Sequence, residues 1–563
     1  MLLVLLACVD PVEVPQSAFP FPRGELVVDG RLALQPLPSG DTPVPVERLA
    51  WRDGFSPVQT TVFQLDALPE SLDDVHAFNI SSGQPWPVMV ELDAWPDNDE
   101  VPVLLVRPLE PYPVGSNILV VVGEGTGLQR ADWLQAIDEG ADVQGEVDVD
   151  WHRHNLQLAR AHDVEAVQAA RFPIGDGTAP LRHIISQLST PSTWSFDRVL
   201  EPEHAHTIAE GSFTTDTWLV DDGRFELDEG LPVAQGQVEE ELYVFIPDGL
   251  EDAEPGTVPV WVFGHGIFSE PDAYLGEEDD PNGLVQLATD AGAIVIATTW
   301  RGMTRDDLIT PVAVGNDFGR IPELTDKLQQ GVANTVALVR LIAEGGLLDD
   351  PVFMGLADPN TLRYYGISLG GIEGAVLLAN TDLLPHAVFH VGGSSWSTML
   401  ERSSNWVTFE ALMEDAVPSP SDRQLLYAAS QLFWDAADPA NYAGDLLGRS
   451  VLWQESLGDE QVPNLTTRLL TDAAGAVLLE PAVDAFTTSA SGPLSGPAVS
   501  QFDPQVGLPP EENRPAPVTG AHGDPRHWPG QMQQTARFLD PDDPGVVEHF
   551  CGDGPCSASN PGL

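Results

Sequence analysis

Residues 362–378 read Leu362-Arg363-Tyr364-Tyr365-Gly366-Ile367-Ser368-Leu369-Gly370-Gly371-Ile372-Glu373-Gly374-Ala375-Val376-Leu377-Leu378. A strand-like run, Leu362 to Tyr365, leads to a serine with glycines on both sides, and an apolar helical run follows from Ile372. A strand that turns sharply into a helix brings two backbones together and leaves little room for side chains, so glycine belongs at the flanks. The turn lifts the serine Oγ above the sheet, and the adjoining helix N-terminus favours negative charge there. This is the sequence of a nucleophile elbow. The bland alternative is a glycine-rich turn that only packs a helix on a strand.

Working outward, buried strands alternate with helical stretches from about residue 239. Leu242 to Ile246, Val258 to Phe263, Ala293 to Ala297 and Leu362 to Tyr365 are candidate strands, and Leu324 to Ile342 carries Leu328, Val332, Val336, Val339 and Ile342 on one helical face. Apolar runs separated by helices predict a largely parallel sheet covered on both faces, an α/β class.

A serine hydroxyl is a poor nucleophile until a histidine accepts its proton, and a carboxylate must hold that imidazole. On a sheet of this kind the order along the chain is serine, acid, histidine. After the strand-like Val451-Leu452-Trp453-Gln454 comes Gly458-Asp459-Glu460-Gln461-Val462-Pro463, which puts Asp459 in a tight loop at a strand end and favours it over Glu455 and Glu460. Three histidines, His522, His527 and His549, follow that acid. Ala521-His522-Gly523 lies in a loop between the strand-like Ala498 to Phe502 and a terminal helix around Gln531 to Leu539, so His522 is the candidate base. Acyl transfer also requires donors for the developing oxyanion. The backbone N–H of Leu369 is one candidate. Ile267, in Gly264-His265-Gly266-Ile267 after the strand Val258 to Phe263, is the other, with His265 orienting its loop.

Charge excludes some partners. The chain has 25 Lys+Arg against 86 Asp+Glu, a formal net charge of −61, and Lys327 is its only lysine. Such a surface repels phosphate backbones and anionic head groups, so nucleic acid is not an expected partner. With 42% hydrophobic residues the chain has ample material for cores, and 563 residues imply two or more domains.

The chain opens Met1-Leu2-Leu3-Val4-Leu5-Leu6-Ala7-Cys8, too short an apolar run to span a bilayer. Leu5-Leu6-Ala7-Cys8 resembles a bacterial lipobox, which implies lipidation of Cys8 and attachment to the cell envelope through that lipid. No basic residue precedes the run. The other two cysteines, in Cys551-Gly552-Asp553-Gly554-Pro555-Cys556, suit a local disulfide, because Gly and Pro let the chain turn back on itself. Two thiols at this spacing make a poor zinc site, and no metal or cofactor is expected.

Between about 46 and 225 short β-type runs, such as Val101 to Val106 and Ile118 to Val122, alternate with turn signals in the rhythm of a sandwich. Within this part, 152 to 190 reads as a helical insertion from the spacing of Leu156, Ala159, Val164, Val167 and Ala170. The chain thus divides into a signal over 1–8, a tether over 9–45, a β-rich N-terminal domain over 46–238, an α/β domain over 239–540 and a tail with a disulfide loop over 541–563. Residues 394–447, rich in Trp, Phe, Leu and Met, read as a helical cap over a pocket or as ordinary helix packing.

From about 239 to 540 the chain resembles α/β-hydrolase lipases and esterases, and its whole body is similar to bacterial lipoproteins that join a β-rich N-terminal domain to such a hydrolase. The matching pieces are Gly264-His265-Gly266, Trp300-Arg301-Gly302-Met303, Gly366 to Gly371, Gly458-Asp459 and Ala521-His522-Gly523. The resemblance implies hydrolysis of a small-molecule or lipid ester by an acyl-enzyme route. Two other classes stay open at this point: a serine peptidase on small peptides, since the same triad cleaves amides, and an inert surface adhesion protein.

Overall fold

The sheet that carries Ser368 is built from strands with apolar residues on both faces, as burial between two helical layers demands. The computed structural model describes residues 12–13, 17–95, 101–145, 147–200, 206–221, 223–250, 252–276, 280 and 282–562. Two compact units are present: Met1–Gln35, Ala50–Asp176 and Ser419–Ala428 form the first, and Pro36–Leu49, Gly177–Pro418 and Ala429–Leu563 the second. Cys8, the candidate lipidation site, lies outside the described residues.

The first unit is β-rich. Its strands are β1 (Thr61–Gln64), β2 (Val75–Asn79), β3 (Gln84–Trp86), β4 (Val88–Leu92), β5 (Val103–Pro108), β6 (Asn117–Gly123) and β7 (Ala166–Pro173). They form two antiparallel sheets, ordered β1–β5–β4 and β7–β6–β2–β3. Helices α1 (Asp132–Glu139) and α2 (Val149–Ala161) place Leu134 and Leu156 on Phe78, Leu119 and Val121 of the second sheet.

Two expectations for this part are corrected. Residues 166–173 are strand β7, paired along β6 from Ala166 to Pro173, and not a continuation of the helix that ends at Ala161. Val164, Val167 and Ala170 fit a helical period, but Val167 and Ala170 belong to a strand buried on both faces, where a strand also shows runs of apolar residues. Residues 17–35 are not a free tether either. Phe21 exchanges backbone hydrogen bonds with Val62 at 3.0 and 2.6 Å, and Phe21, Leu26 and Leu32 are buried.

The second unit holds a sheet of β8 (Trp194–Leu200), β9 (Thr207–Thr217), β10 (Gly236–Ile246), β11 (Val260–Gly264), β12 (Ile294–Ala297), β13 (Arg363–Ile367), β14 (His386–His390), β15 (Ser450–Ser456), β16 (Val477–Glu480), β17 (Ser489–Ser491), β18 (Ala498–Asp503) and the short β19 (Cys556–Ser557). The order is β8–β9–β10–β12–β11–β13–β14–β15–β18–β16–β17, with β19 beside β18. The first three pairings, β8–β9, β9–β10 and β10–β12, are antiparallel, and every pairing from β12 onward is parallel. Residues 177–238, placed with the β-rich N-terminal part by their rhythm, therefore belong to this unit: β9 and β10 pair over eleven residues and join the sheet through β12.

Its helices include α3 (Leu284–Ala291), α4 (Ile321–Ala343), α5 (Leu369–Ala379), α6 (Trp396–Leu400), α7 (Val407–Ala416), α8 (Asn464–Ala473) and α9 (Pro529–Phe538). Successive strand residues point to opposite faces. Trp261, Val295, Tyr365 and Val388 pack with Leu284 and Leu287 of α3 and Phe538 of α9 on one face. Tyr364 points to the other, against Gly374 of α5. Helix α5 is buried from Leu369 to Leu378, apolar nearly all round as a core helix must be. The C-terminal segment is packed as well, since Cys551 and Cys556 are buried with Phe502.

Candidate active site

Ser368 sits between the last residue of β13 and the first of α5, with φ 57° and ψ −116°. A positive φ costs an L-residue energy, and such strain persists only where the surroundings impose it. Here the flanking glycines show what imposes it. A Cβ on Gly366 would lie 2.1 Å from the Gly370 carbonyl oxygen, and one on Gly370 would lie 2.0 Å from that of Gly264. Strand β11, strand β13 and the start of α5 meet backbone to backbone, so the chain has no slack in which to relax Ser368. Its N–H donates to the His390 carbonyl at 2.9 Å, and Tyr364 Oη donates to the Gly370 carbonyl at 2.6 Å.

The two oxyanion candidates flank the same space. Leu369 is the first residue of α5, where backbone N–H groups have no intrahelical acceptor. Ile267 and Leu369 line one cavity together with Ser368. The loop carrying Ile267 is fixed by His265, which is wholly buried. Burial holds its imidazole neutral, down to about 4. Its Nδ1 therefore donates to the Gly266 carbonyl at 2.8 Å while Nε2 accepts the Trp300 N–H at 2.9 Å. Gly266 N–H in turn donates to Tyr274 Oη at 3.0 Å, a contact the sequence reading missed because Tyr274 is merely one apolar residue in a helical turn.

Asp459 and His522 come together, 63 residues apart in the chain. His522 Nδ1 lies 2.9 and 2.8 Å from the two Asp459 carboxylate oxygens, and both side chains are buried. Asp459 follows β15 in a turn closed by its own Oδ1, which accepts the N–H groups of Gln461 and Val462, each at 2.9 Å. The His522 loop is fastened over the end of β15 by Ser456 Oγ, which donates to the Ala521 carbonyl at 2.6 Å.

The rival acids have other partners. Glu455 accepts from Asn464, Arg468 and Gln501 at 2.9, 2.8 and 2.9 Å; burial raises its carboxyl while Arg468 pulls it back. Glu460 accepts Thr519 Oγ1, Gly520 N–H and His522 N–H at 3.1, 3.1 and 3.4 Å. It anchors the backbone of the histidine loop, a role invisible in sequence because an acid beside an acid carries no mark of the direction each points. Of the rival bases, His549 Nε2 donates to the Gly554 carbonyl at 2.8 Å beside the Cys551–Cys556 disulfide, and His527 lies in a 3-10 turn before α9.

The cavity at Ser368 has a free volume of about 60 Å³. Of the segment read as a cap, Trp396, Met399, Leu400, Trp406, Phe409 and Trp434 line it, joined by Ile267, Phe268, Met303, Pro311, Leu324, Ile372 and Val462. Its polar lining is Ser368, Ser403, Asn405 and Gln461, with Asn405 Nδ2 donating to Gln461 Oε1 at 3.0 Å.

No protein-family model and no curated protein sequence matches the chain. Among solved structures it is similar to an acetyl xylan esterase from Paenibacillus sp. R4, at 16% identity over 64% of this chain and 91% of that one, with a TM-score of 0.39. Acetyl xylan esterase 1 from Thermoanaerobacterium sp. JW/SL YS485 is 14% identical over 61% of this chain and 90% of that one, with a TM-score of 0.37. An acylaminoacyl peptidase of Pyrococcus horikoshii is 14% identical over 64% of this chain and 50% of that one, with a TM-score of 0.30. The strand order, the parallel pairing from β12 onward and the strained serine between β13 and α5 make the second unit an α/β-hydrolase fold.

Proposed function

We propose that this chain is a serine hydrolase that cleaves carboxylic esters through an acyl-enzyme intermediate. The observation that carries the reading is Ser368 held at positive φ on an apolar cavity, while the Asp459–His522 pair is fixed at the carboxyl end of β15 in the same sheet. Ser368 Oγ attacks the ester carbonyl carbon and His522 Nε2 takes its proton. The carbonyl oxygen gains the negative charge, met by the backbone N–H groups of Leu369 and Ile267. The C–O bond to the alcohol breaks, and the alcohol leaves with the proton from His522. Water then attacks the acyl-serine and gives one proton to His522, which returns it to the Ser368 Oγ as the acyl C–O bond breaks and the acid leaves. Asp459 holds the Nδ1–H tautomer throughout. Every group in these steps comes from the chain, the ester or water.

The partner in this reading is a small-molecule or lipid ester. Nucleic acid is disfavoured by the net charge of −61. We also place the protein at the bacterial cell envelope or outside the cell, with membrane attachment only through a lipid on Cys8. The Leu5-Leu6-Ala7-Cys8 motif supports this, and the Cys551–Cys556 disulfide suits an oxidising compartment.

Hydrolysis of para-nitrophenyl butyrate by the wild type and by Ser368→Ala tests the reading, with a fluorophosphonate as a label for the nucleophile. Activity and labelling that both vanish in Ser368→Ala are expected. A folded wild type that hydrolyses aminoacyl amides but no ester would move the assignment to a peptidase, and one that is neither active nor labelled would overturn the hydrolase.

A further inference from the structure

The size and stiffness of the cavity at Ser368 say which acyl groups it admits. Its free volume of about 60 Å³ is under half the roughly 150 Å³ that takes up a benzene-sized group, so it holds only a few non-hydrogen atoms. A short aliphatic chain fits; a fatty acyl chain requires the wall to move.

The wall is built to resist such movement. Trp396 and Trp434 line the cavity and stack with ring centroids 5.2 Å apart and planes at 23°. Both are almost wholly buried. Each indole is also tied by its N–H: Trp396 Nε1 donates to the Ala437 carbonyl at 3.0 Å, and Trp434 Nε1 to Ser430 Oγ at 3.2 Å. The backbone that carries Trp396 is pinned in turn. Asp438, fully buried, accepts the N–H groups of Ser395 and Trp396 at 2.8 and 2.9 Å and Gln431 Nε2 at 2.9 Å. Swinging either indole aside breaks a buried hydrogen bond and a stacked contact together, and an unpaired buried donor is costly.

Charge sets a second limit. In a chain with 86 acidic residues, none of the described residues lining this cavity carries a side chain that ionises in the ordinary pH range. A carboxylate or ammonium on the acyl chain would enter an apolar space with no counter-ion, losing its hydration.

We propose that this cavity is the acyl-binding subsite and that the Trp396–Trp434 wall restricts it to short, uncharged aliphatic acyl groups. The proposal rests on the ester-hydrolase reading and fixes its acid component. The alcohol lies outside this cavity and is not limited by it.

The test is a series of para-nitrophenyl esters from acetate to dodecanoate, with the singly charged glutarate half-ester as the charged five-carbon counterpart of the pentanoate. It is run on the wild type, Trp434→Ala and Met399→Ala, each checked for folding by circular dichroism. For the wild type kcat/KM should be highest among the short esters up to butyrate, fall at least about tenfold by ten carbons, and be at least about tenfold lower for glutarate than for pentanoate. Trp434→Ala should raise the ratio of decanoate to butyrate kcat/KM about tenfold or more by opening the wall. Met399→Ala, a smaller truncation in the same wall, should raise it less and serves if Trp434→Ala does not fold. A Ser368-dependent activity that climbs without a break to dodecanoate, or a glutarate rate equal to that of pentanoate, overturns the short-chain assignment and leaves the hydrolase standing. No hydrolysis of any ester and no fluorophosphonate labelling of Ser368 overturns both.

Discussion

The imidazole of His522 meets the carboxylate of Asp459 at 2.9 and 2.8 Å, with neither residue exposed to bulk solvent. A carboxylate in that position accepts only from an Nδ1–H, so it selects the tautomer whose Nε2 lone pair is free to act as a base. Asp459→Asn preserves the shape but can present an amide N–H to Nδ1, which selects the wrong tautomer. We expect kcat on para-nitrophenyl butyrate to fall by about 10⁴-fold with KM nearly unchanged. A loss under tenfold would show that another acid orients His522.

Glu460 acts one step further back, as a positioning residue. Its three accepted bonds hold Thr519, Gly520 and the backbone of His522. Bonds to a charged acceptor contribute about 1.5–3 kcal/mol each. Glu460→Ala should lower kcat/KM by about 10- to 100-fold and slow fluorophosphonate labelling of Ser368 in parallel. Glu460→Gln, which keeps one acceptor oxygen, should recover part of both. Equal losses in the two variants would mean that the negative charge, not the loop geometry, is what matters.

Gly370→Ala probes the close approach at the elbow. The added methyl would sit 2.0 Å from the Gly264 carbonyl oxygen, a backbone atom that cannot rotate away. Destabilisation of about 3 kcal/mol or more is expected in urea unfolding, together with loss of esterase activity. Near-normal stability and activity would show that β11 and α5 separate readily.

The buried His265 links stability to pH. Its imidazole titrates at about 4 in the folded chain because burial disfavours the charged form, against 6.5 when exposed. Between these values the unfolded chain binds more protons, so stability contributed by neutral His265 is complete above about pH 6.5 and is lost as the pH falls toward 4. The loss amounts to up to about 3 kcal/mol across the window. The urea midpoint of His265→Gln should be lower than wild type at pH 7 but fall less steeply between pH 6.5 and 4.5. Parallel pH profiles for the two proteins would assign the acid sensitivity elsewhere.

Local signals carried much of this architecture. Gly366 is dictated by backbone contact within one strand–turn–helix, while Gly370 answers to the close approach of β11, and the parallel strands announce themselves as apolar runs because both of their faces are covered. Asp459 and His522 follow strands in the order the fold demands, so their positions along the chain are legible even though their meeting is not. Local patterning also misleads where two periods coincide, as in 166–173, whose apolar residues fit a helix but form β7 beside β6.

Tertiary structure alone decided the rest, because those relationships join residues far apart in sequence with no local constraint between them. The membership of β9 and β10 in the large sheet depends on pairing with β12, about fifty residues downstream of β10. The direction of neighbouring acids is set by what surrounds them: Asp459 turns to the His522 ring, while Glu460 turns to that residue's backbone. The limit on the acyl cavity comes from two stacked indoles that lie thirty-eight positions apart in the chain and are tied by hydrogen bonds to Ala437 and Ser430. Sequence determined which residues could carry the chemistry through short-range geometry, and folding decided which groups they face because packing is set by the whole chain at once.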